Sequence, residues 1–228
     1  MTPEKKITII CGHYGSGKTN IAVNLALRTK ESHTDKRVAL ADLDTVNPYF
    51  RAADNAVLLK NAGVEVLVPE FANSNVDIPA IPAGINELFD TASPLCGIID
   101  VGGDDGAAVL GMYSRMAENV GYEMLYVVNM YRPLTASPAD ALECMREIEL
   151  LSSLRCTGVI NNSSLGALTT VRDIADSVEY ARECAALCSL PLLGHSYVPD
   201  YAPDTPDLLP DEERRILFPI SDVTKKLF

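Results

Sequence analysis

Short apolar runs alternate along this chain with longer stretches in which apolar residues recur at helical spacing. Continuous apolar runs are typical of parallel strands covered on both faces, and the stretches between them are typical of the covering helices. The predicted strands span residues 7–11, 37–41, 64–68, 97–101, 123–129, 157–161 and 192–198. The pattern therefore predicts an α/β three-layer sandwich with a mostly parallel sheet of roughly seven strands, in one domain over residues 1–228.

The last part of the chain departs from this alternation. Residues 199–210 are rich in proline and aspartate and predict a surface strap, followed by a short helix over 211–217. Pro219 interrupts the basic and apolar residues around it, so we do not expect a continuous membrane-lying helix. No apolar stretch approaches the roughly 20 residues that span a bilayer, and residues 1–6 leave no room for a signal peptide. We expect a cytoplasmic protein without a membrane partner.

Composition narrows the expected partners further. The net charge is −12 over 228 residues, which argues against a nucleic-acid surface because phosphate contacts need clustered lysine and arginine. The six cysteines include no C-x-x-C pair, as expected in a reducing compartment. Cys184 and Cys188 lie one helical turn apart. Two such helices in a dimer would bring thiolates together for zinc, whereas apolar helix packing is the simpler interpretation.

Residues 12–19 read Gly-His-Tyr-Gly-Ser-Gly-Lys-Thr and fit the phosphate-binding pattern G-x-x-x-x-G-K-[ST]. They lie between the first predicted strand and a helical stretch over 20–28, which is the context that this loop requires. Backbone N–H groups would surround phosphate oxygens, Lys18 would contact the β and γ phosphates, and Thr19 would bind Mg²⁺. The residues expected to contact nucleotide here are Gly12, His13, Tyr14, Gly15, Ser16, Gly17, Lys18, Thr19 and Asn20.

Aspartates follow two of the predicted strands. Asp42 and Asp44 follow the second strand, where burying carboxylates is costly unless they are paired or face a cation. Asp100 ends the fourth strand after an apolar run, which is the Walker-B arrangement whose carboxylate holds Mg²⁺ directly or through water. Gly102 and Gly103 then allow the backbone to approach the γ phosphate, so this loop is a candidate nucleotide-sensing switch.

Three of the aspartates at this edge also have ordinary interpretations. Asp44 would lie near the γ phosphate or act as a turn residue. Asp104 and Asp105 would orient a water molecule or, more simply, cap the helix that follows them.

Asn161 and Asn162 follow the sixth predicted strand at the same edge of the sheet. A carboxamide accepts from the exocyclic amine of a purine and donates to a ring nitrogen, although Asn-Asn-Ser-Ser is also ordinary turn chemistry. Adenine is favoured because the chain contains no N-K-x-D sequence, the usual guanine-reading signal. His195 on the last strand is interpreted as a structural histidine.

These motifs together resemble the MinD/ParA ATPases, which belong to the wider SIMIBI group of P-loop proteins. The likeness covers roughly residues 5–200, and it rests on segments 12–19, 41–44 and 99–103 and on a later strand that ends in asparagine. A bacterial branch of CobQ/CobB/MinD/ParA nucleotide-binding proteins is closer still, in segments 47–51, 102–105 and 129–133.

The resemblance implies ATP and Mg²⁺ as ligands and a homodimer that forms when ATP is bound. It implies that Asp44 positions the attacking water and that Asp42 supports the metal shell. Asp100 would be the Walker-B residue, and Gly103 would contact the γ phosphate through its N–H. For the base, it implies Asn162 as the adenine-reading residue with Asn161 as the fallback, and contact between loop 197–200 and the adenine.

The chain departs from the family at one functional position. Members carry a second, signature lysine directly after the first glycine of the loop, whereas this chain has His13 followed by Tyr14. A protonated imidazole would supply part of that charge, or Arg51 or Arg132 would supply it by gripping phosphate oxygens with two N–H groups. The alternatives are a neutral loop histidine and ordinary surface arginines.

Three functions follow from the motifs and the resemblance. The first is a slow Mg²⁺-dependent ATPase that acts as a nucleotide-driven switch for an unidentified protein or small-molecule partner. The second is a small-molecule kinase or ATP-dependent ligase of the dethiobiotin-synthetase type, and the third is a module that holds nucleotide without hydrolysis. The residues that would line a substrate pocket in the second case are Asn47, Tyr49, Arg51, Tyr131 and Arg132.

Overall fold

The computed structural model describes residues 5–43, 55–68, 82 and 84–223. Its strands are β1 (Ile7–Cys11), β2 (Val38–Asp42), β3 (Val64–Leu67), β4 (Cys96–Asp100), β5 (Tyr122–Val128), β6 (Gly158–Asn161), β7 (Leu192–Tyr197) and β8 (Leu217–Pro219). Its helices are α1 (Lys18–Ser32), α2 (Ala56–Asn61), α3 (Ile85–Leu88), α4 (Gly103–Gly111), α5 (Ser114–Val120), α6 (Pro138–Ser152), α7 (Val171–Cys188), α8 (Thr205–Leu208) and α9 (Asp211–Arg214). Short 3-10 helices span Pro133–Thr135 and Gly166–Leu168.

The described strands form one eight-stranded sheet in the order β3-β2-β4-β1-β5-β6-β7-β8, and neighbouring strands are parallel. Strand β1 therefore lies inside the sheet, between β4 and β5. Because the strands run in one direction, their carboxyl ends meet at a single edge, where ligands bind in open parallel sheets. The predicted α/β sandwich is confirmed, and the seven predicted strands match observed strands to within one residue at each end.

The eighth strand was not predicted from the sequence. A helix was expected over residues 211–217, but α9 ends at Arg214, and Leu217–Pro219 instead pairs with β7 from His195 to Tyr197. This pairing buries Phe218, which is 1% exposed, against the core. Tertiary burial of an apolar side chain here outweighs the local helical preference of the charged residues before it.

Apolar side chains fill both faces of the sheet. On one face, α1 buries Ile21, Ala22, Leu25 and Ala26 as its spacing predicts, together with residues of β2, β4 and β5. On the other face, residues of α4, α6 and α7 pack against β1, β4 and β5. The sheet is therefore held in a three-layer arrangement that fixes the positions of the strand ends.

Capped helices hold the loops at the carboxyl edge. Helix α7 begins with a capping box, in which Thr170 accepts from the N–H of Asp173 and the Asp173 carboxylate accepts from the N–H of Thr170. Helix α6 begins with Ser137 as its N-cap, which accepts from the N–H of Asp140. These caps fix the ends of the loops that follow β5 and β6, and those loops line the site described below.

The segment predicted as a proline-rich strap is partly ordered against the domain. It contains helix α8, and Ala202 and Leu209 on either side of that helix are buried. None of the helices within the described residues is both long and apolar enough to cross a bilayer.

Candidate functional site

Residues 12–17 form a loop between β1 and α1, as predicted. Gly17 is the N-cap of α1, with φ of 86° in the left-handed region that glycine readily adopts. The backbone N–H of Ser16 donates to the carbonyl of His13 over 3.1 Å, and the Lys18 ammonium donates to the same carbonyl over 3.1 Å. The loop therefore curls over the first turn of α1, where the helix dipole and the backbone N–H groups favour a bound anion.

Two glycines of this loop are required by the space around them. A Cβ on Gly12 would lie 2.5 Å from the carbonyl oxygen of Val127, and one on Gly17 would lie 2.1 Å from the side-chain nitrogen of Asn162. Both distances are far shorter than a van der Waals contact, so a side chain at either position would displace the loop or its neighbours. His13 is half-buried, and its Nδ1 lies 3.1 Å from the carbonyl oxygen of Tyr14.

Two buried carboxylates lie beside the start of α1. Asp42 and Asp100 face each other in register on β2 and β4, and each is 1% exposed. The Thr19 hydroxyl donates to Oδ2 of Asp100 over 2.6 Å, and the N–H of Leu43 donates to the Asp100 carbonyl over 2.8 Å. Hard oxygen donors of this kind, two carboxylates and a hydroxyl, are the ligands that Mg²⁺ uses beside bound phosphates. This donor set fits the predicted metal site, and Asp44 lies outside the described residues.

The loop after β4 places the start of a helix beside Asp100. Gly102 is the N-cap of α4, and Gly103 is its first residue with φ of 49°. Asp104 and Asp105 are exposed in the first turn of α4, where they stabilise the helix dipole but make no side-chain cap hydrogen bond. The expectation that Asp104 or Asp105 caps this helix is therefore wrong, because Gly102 occupies the N-cap position and the two aspartates lie in the first turn.

A cavity of about 370 Å³ extends from the P-loop to the loops that follow β6, β7 and β8. Its size is within the range of small-molecule sites in proteins. The residues that line it include Tyr14, Gly15, Gly17, Lys18, Thr19, Asn20, Asn129, Arg132, Asn162, Ser163, Ser164, Leu165, Gly166, Ile174, Ser196, Tyr197, Val198, Tyr201, Ile220 and Asp222. Lys18 and Arg132 supply cationic groups to this lining, and Ile174, Val198 and Ile220 supply apolar surface.

The two candidate asparagines occupy different environments. Asn162 lines the cavity, donates from Nδ2 to the Ser16 carbonyl over 2.7 Å, and accepts at Oδ1 from the Ser196 hydroxyl. Asn161 is 1% exposed and points into the interior, where its amide contacts Ser163, Ser177 and His195. Asn161 thus holds the strand end in place, and Asn162 alone of the pair faces the cavity.

His195 belongs to the interior network behind Asn161. Its ring is fully buried, with Nδ1 3.0 Å from the Asn161 amide nitrogen and Nε2 2.5 Å from Oε2 of Glu213. Arg182 also donates to Glu213. Because the Asn161 nitrogen can only donate, Nδ1 accepts and Nε2 carries the proton, so the ring is neutral. Burial lowers the pKa of His195 in spite of the opposing effect of Glu213.

A carboxylate that lines the cavity, that of Asp222, was not predicted from the sequence. The Tyr201 hydroxyl donates to Oδ2 of Asp222 over 2.6 Å, and this contact raises the pKa of Tyr201 to about 12. Asp222 follows β8, and the neighbouring N–H groups of Ser221 and Val223 donate to Asn24 and Asn20 of α1. No local motif marks this segment, since it reaches the cavity only through its pairing with α1 and β7.

Residues considered for a substrate pocket are distributed as follows. Tyr131 is half-buried and its hydroxyl donates to the carbonyl of Asp173 over 2.8 Å, so it supports α7. Arg132 is exposed, lines the cavity, and donates from Nε to the carbonyl of Gly15 over 2.8 Å. Asn47, Tyr49 and Arg51 lie outside the described residues.

The cysteine pair of α7 packs into the core beside α6. Cys184 is fully buried and Cys188 is half-buried against the same apolar cluster. Burial raises the pKa of both thiols. Within residues 5–43, 55–68, 82 and 84–223, no group of three histidine, cysteine, aspartate or glutamate side chains is arranged to hold a metal ion.

Several solved structures share this fold. FtsY from Mycoplasma mycoides aligns with a TM-score of 0.53 at 15% sequence identity, over 86% of this chain and 62% of that one. The cell division protein FtsY from Thermotoga maritima gives a TM-score of 0.51 at 16% identity, over 86% of this chain and 63% of that one. The signal recognition particle 54 kDa protein from Aeropyrum pernix, in complex with GDP, gives 0.51 at 19% identity, over 85% of this chain and 42% of that one.

These similarities concern the fold alone, since the sequences are 15–19% identical. The chain spans less than two thirds of the length of each of the three structures. No protein-family model and no curated protein matches the sequence. The activity therefore has to be argued from the site, because one fold supports many functions.

Proposed function

We propose that this protein is a Mg²⁺-dependent ATP-binding switch of the MinD/ParA type that hydrolyses ATP slowly. In hydrolysis, water adds to the γ phosphorus, the bond to the β–γ bridging oxygen breaks, and ADP and phosphate leave. The observation that carries the proposal is that one cavity is lined both by Lys18 and Thr19 and by the apolar side chains of Ile174, Val198 and Ile220. A nucleotide needs both parts, one for its phosphates and one for its base.

The phosphate end of the cavity supports this proposal through its charge. Lys18 and the start of α1 supply positive potential for phosphate oxygens. Asp42, Asp100 and Thr19 would hold Mg²⁺, which neutralises charge on the β and γ phosphates when it is bound. Asp44 would orient the attacking water, as the resemblance to the ATPases implies.

The apolar side chains that line the cavity support the binding of a purine. Ile174, Val198 and Ile220 offer apolar surface to a flat ring, and Asn162 offers an amide at the cavity wall. The two hydrogen bonds that Asn162 makes within the protein use one N–H and one lone pair, which leaves one of each for a base. Adenine is proposed because the chain contains no N-K-x-D sequence, the usual guanine-reading signal.

A switch is favoured over a small-molecule kinase by the placement of the loops. The Asp100 carbonyl accepts from the N–H of Leu43, so the carboxyl ends of β2 and β4 are joined beside the proposed metal site. Tyr131, one of the side chains considered for a substrate pocket, is committed to α7 instead. We propose that loss of the γ phosphate on hydrolysis would move the loop at Gly102 and Gly103. A loop whose position depends on the bound nucleotide lets that nucleotide determine which partner binds.

A homodimer that closes over the nucleotide is part of this proposal. Tyr14 and Leu165 line the cavity and remain 58% and 45% exposed, so two large side chains of its lining are open to solvent. A second copy would cover this surface when ATP is bound. Sedimentation of the protein with Mg²⁺ and a non-hydrolysable ATP analogue should give a dimer, and with ADP a monomer; a monomer in both cases would contradict this part of the proposal.

Calorimetry with Mg²⁺-ATP, Mg²⁺-GTP and Mg²⁺-ADP tests the main proposal. The wild-type protein should bind ATP, and Lys18→Ala should weaken binding at least about 100-fold, because an ammonium on phosphate is worth several charge-assisted hydrogen bonds. Lys60→Ala is the matched control, since Lys60 is exposed on α2 away from the cavity. Binding of GTP in preference to ATP would overturn the adenine assignment, and the absence of any nucleotide binding would overturn the function.

A measurement of ATP turnover distinguishes the proposed switch from the alternative function, a small-molecule kinase or ligase. ATP turnover by a kinase or ligase depends on its second substrate, whereas turnover by a switch depends on a macromolecular partner or on its own dimerisation. Turnover measured with and without a panel of carboxylic acids and amines should stay constant for a switch. A large increase with one compound would establish the rival.

A further inference from the structure

We propose that Arg132 is a charge-stabilising residue of the nucleotide site, delivered by the same chain to the terminal phosphate. This inference rests on the proposed function, because it assigns a role within the same site. It is carried by the position of Arg132 on the P-loop, by the N–H groups that its guanidinium retains, and by the rigidity of the turn that presents it.

Arg132 lies directly against the P-loop. Its Nε donates to the carbonyl of Gly15 over 2.8 Å, although 117 residues separate the two in sequence. A Cβ on Gly15 would lie 3.1 Å from Nε and 3.3 Å from the central carbon of the guanidinium. Gly15 also has φ of 77°, in the left-handed region. The glycine therefore allows both the turn of the loop and the close approach of the arginine.

The contact with Gly15 uses one of the five N–H groups of the guanidinium. The terminal nitrogens of Arg132 make no hydrogen bond or ion pair with any described residue, and the side chain is exposed at the cavity. A guanidinium in this state can bind two phosphate oxygens at once, a geometry that lysine cannot provide. Arg132 is thus held by one N–H and presents the others to a ligand.

The turn that carries Arg132 is braced on both sides. The N–H of Arg132 donates to the carbonyl of Asn129 over 3.2 Å, and the Arg132 carbonyl accepts from the N–H of Thr135 over 3.0 Å. The Thr135 hydroxyl donates to the Asn129 carbonyl over 2.9 Å, and Pro133 fixes the backbone after the arginine. A side chain on a rigid turn loses less conformational entropy when it binds, so its charge is pre-organised.

The cavity, whose lining includes the carboxylate of Asp222, favours a second cation beside Lys18. Lys18 and Arg132 are the cationic side chains among its described lining residues, and the protein as a whole has a net charge of −12. A Mg²⁺-bound triphosphate keeps roughly two negative charges, and the charge spreads over the equatorial oxygens as phosphoryl transfer proceeds. Lys18 supplies one positive charge, and Arg132 supplies the other without a contribution from a partner.

Binding measurements on Arg132→Ala and Arg132→Lys test the inference without relying on turnover. The ligands are ADP, a non-hydrolysable ATP analogue, and ADP with aluminium fluoride, each with Mg²⁺. In Arg132→Ala, the affinity for ADP should change less than about 2-fold and the affinity for the ATP analogue should fall about 10-fold. The affinity for ADP with aluminium fluoride should fall about 100-fold or more, because an arginine that stabilises the charge of the transferring phosphoryl group acts most strongly on the complex that mimics the transition state. Lysine should restore only part of the loss, because it is a point charge. Arg146→Ala on α6, also exposed, is the matched control and should bind all three ligands as wild type does.

Each result separates the inference from the proposed function. Failure of the wild-type protein to bind any nucleotide removes the proposed function and the inference with it. Normal binding by wild type together with unchanged affinities for all three ligands in Arg132→Ala overturns the inference alone. An equal loss for ADP, the ATP analogue and the fluoride complex in a folded Arg132→Ala protein also overturns it, because Arg132 would then be only a tether of the P-loop.

Discussion

The side-chain amide of Asn162 donates to the main-chain carbonyl of Ser16 over 2.7 Å and so ties the loop after β6 to the P-loop. The amide is oriented from behind by Ser196, whose hydroxyl donates to Oδ1 of Asn162. A base bound against Asn162 would therefore be coupled directly to the loop that binds the phosphates. This coupling gives the asparagine two roles, one in the shape of the P-loop and one in the choice of base.

Replacing Asn162 with alanine should weaken nucleotide binding about 10-fold, because a hydrogen bond to the base and the restraint on the P-loop are both lost. Calorimetry with Mg²⁺-ATP gives the affinity. Asn119→Ala, at an exposed position on α5, is the control and should leave the affinity unchanged. An Asn162→Ala protein that binds ATP as tightly as wild type would show that this amide contacts neither the base nor a functional loop.

Replacing Asn161 with alanine should act on stability rather than on recognition. Its buried amide forms hydrogen bonds with Ser163, Ser177 and His195. Deleting the amide removes these bonds, which should lower the free energy of unfolding by about 1–3 kcal/mol. Urea denaturation measures the free energy of unfolding of this variant and of Asn162→Ala. A smaller loss of stability for Asn161→Ala than for Asn162→Ala would contradict the separation of roles.

A side chain at Gly17 should abolish nucleotide binding. Its φ of 86° strains any other residue, and a Cβ would lie 2.1 Å from the Asn162 nitrogen. We expect Gly17→Ala to lower the free energy of unfolding by about 1–3 kcal/mol and to weaken ATP binding beyond detection. Gly121→Ala is the matched control, because Gly121 has φ of 79° but no heavy atom within 4 Å of the added Cβ. The control should show only the smaller cost of backbone strain.

A double variant identifies the source of the effect at Gly17. If the clash with Asn162 dominates, adding Asn162→Ala to Gly17→Ala should recover part of the stability. Equal stability of the single and double variants would assign the cost to the backbone alone.

Replacing Asp100 with asparagine should make ATP binding insensitive to Mg²⁺. The carboxylate of Asp100 is the partner of Thr19 and the proposed support for the metal, and an amide is a weaker ligand for a hard cation. Affinity for ATP measured with Mg²⁺ and with EDTA should differ at least about 10-fold in wild type and little in Asp100→Asn. A variant that keeps the full Mg²⁺ effect would show that the metal is held elsewhere.

The stability of the protein should fall as the pH is lowered below about 6.5, the ordinary pKa of histidine. Burial lowers the pKa of His195 in the folded state, so the unfolded chain binds a proton that the native ring does not. The stabilisation is therefore present above the ordinary pKa and is lost as the pH falls through the folded-state value. Glu213 and Arg182 face the ring, and the lowered pKa of Glu213 adds its own loss only at more acidic pH.

Urea denaturation between pH 7.5 and 5 (a range chosen around the histidine value) measures this effect. His195→Gln should give a flatter dependence than wild type, and His33→Gln, at the half-buried end of α1, is the matched control. Equal slopes for wild type and His195→Gln would contradict the assignment of a neutral buried ring.

The parts of the site that could be predicted from the sequence are those determined by short contiguous motifs and by residues at the ends of apolar strands. The loop at residues 12–19 is contiguous, and its glycines, lysine and threonine are required within one turn of backbone. Asp42 and Asp100 follow apolar runs, and parallel strands bring such ends to one edge. For these residues, strand periodicity and short motifs are sufficient to predict the neighbourhood.

The rest depends on contacts between distant segments. Asp222 reaches the cavity because Phe218 is buried and β8 pairs with β7, and no residue near Asp222 signals this. The contact of Arg132 with Gly15 likewise follows from the pairing of β1 with β5. From the sequence, Arg132 was a candidate for the missing charge beside His13 and Arg51, and a candidate for a substrate pocket. Its contact with Gly15 was not predicted, since side-chain position across a sheet edge is decided by tertiary packing.

The central position of β1 has a consequence for how the chain folds. Ile7 pairs with Gly97 on one side and with Tyr122 on the other, so β1 is synthesised long before either neighbour. Contacts between residues so far apart in sequence slow folding, because the chain loses the entropy of closing a long loop before the stabilising contacts form. Until β4 and β5 emerge, the nascent chain presents an apolar strand with two open edges, a species that aggregates readily and that chaperones recognise.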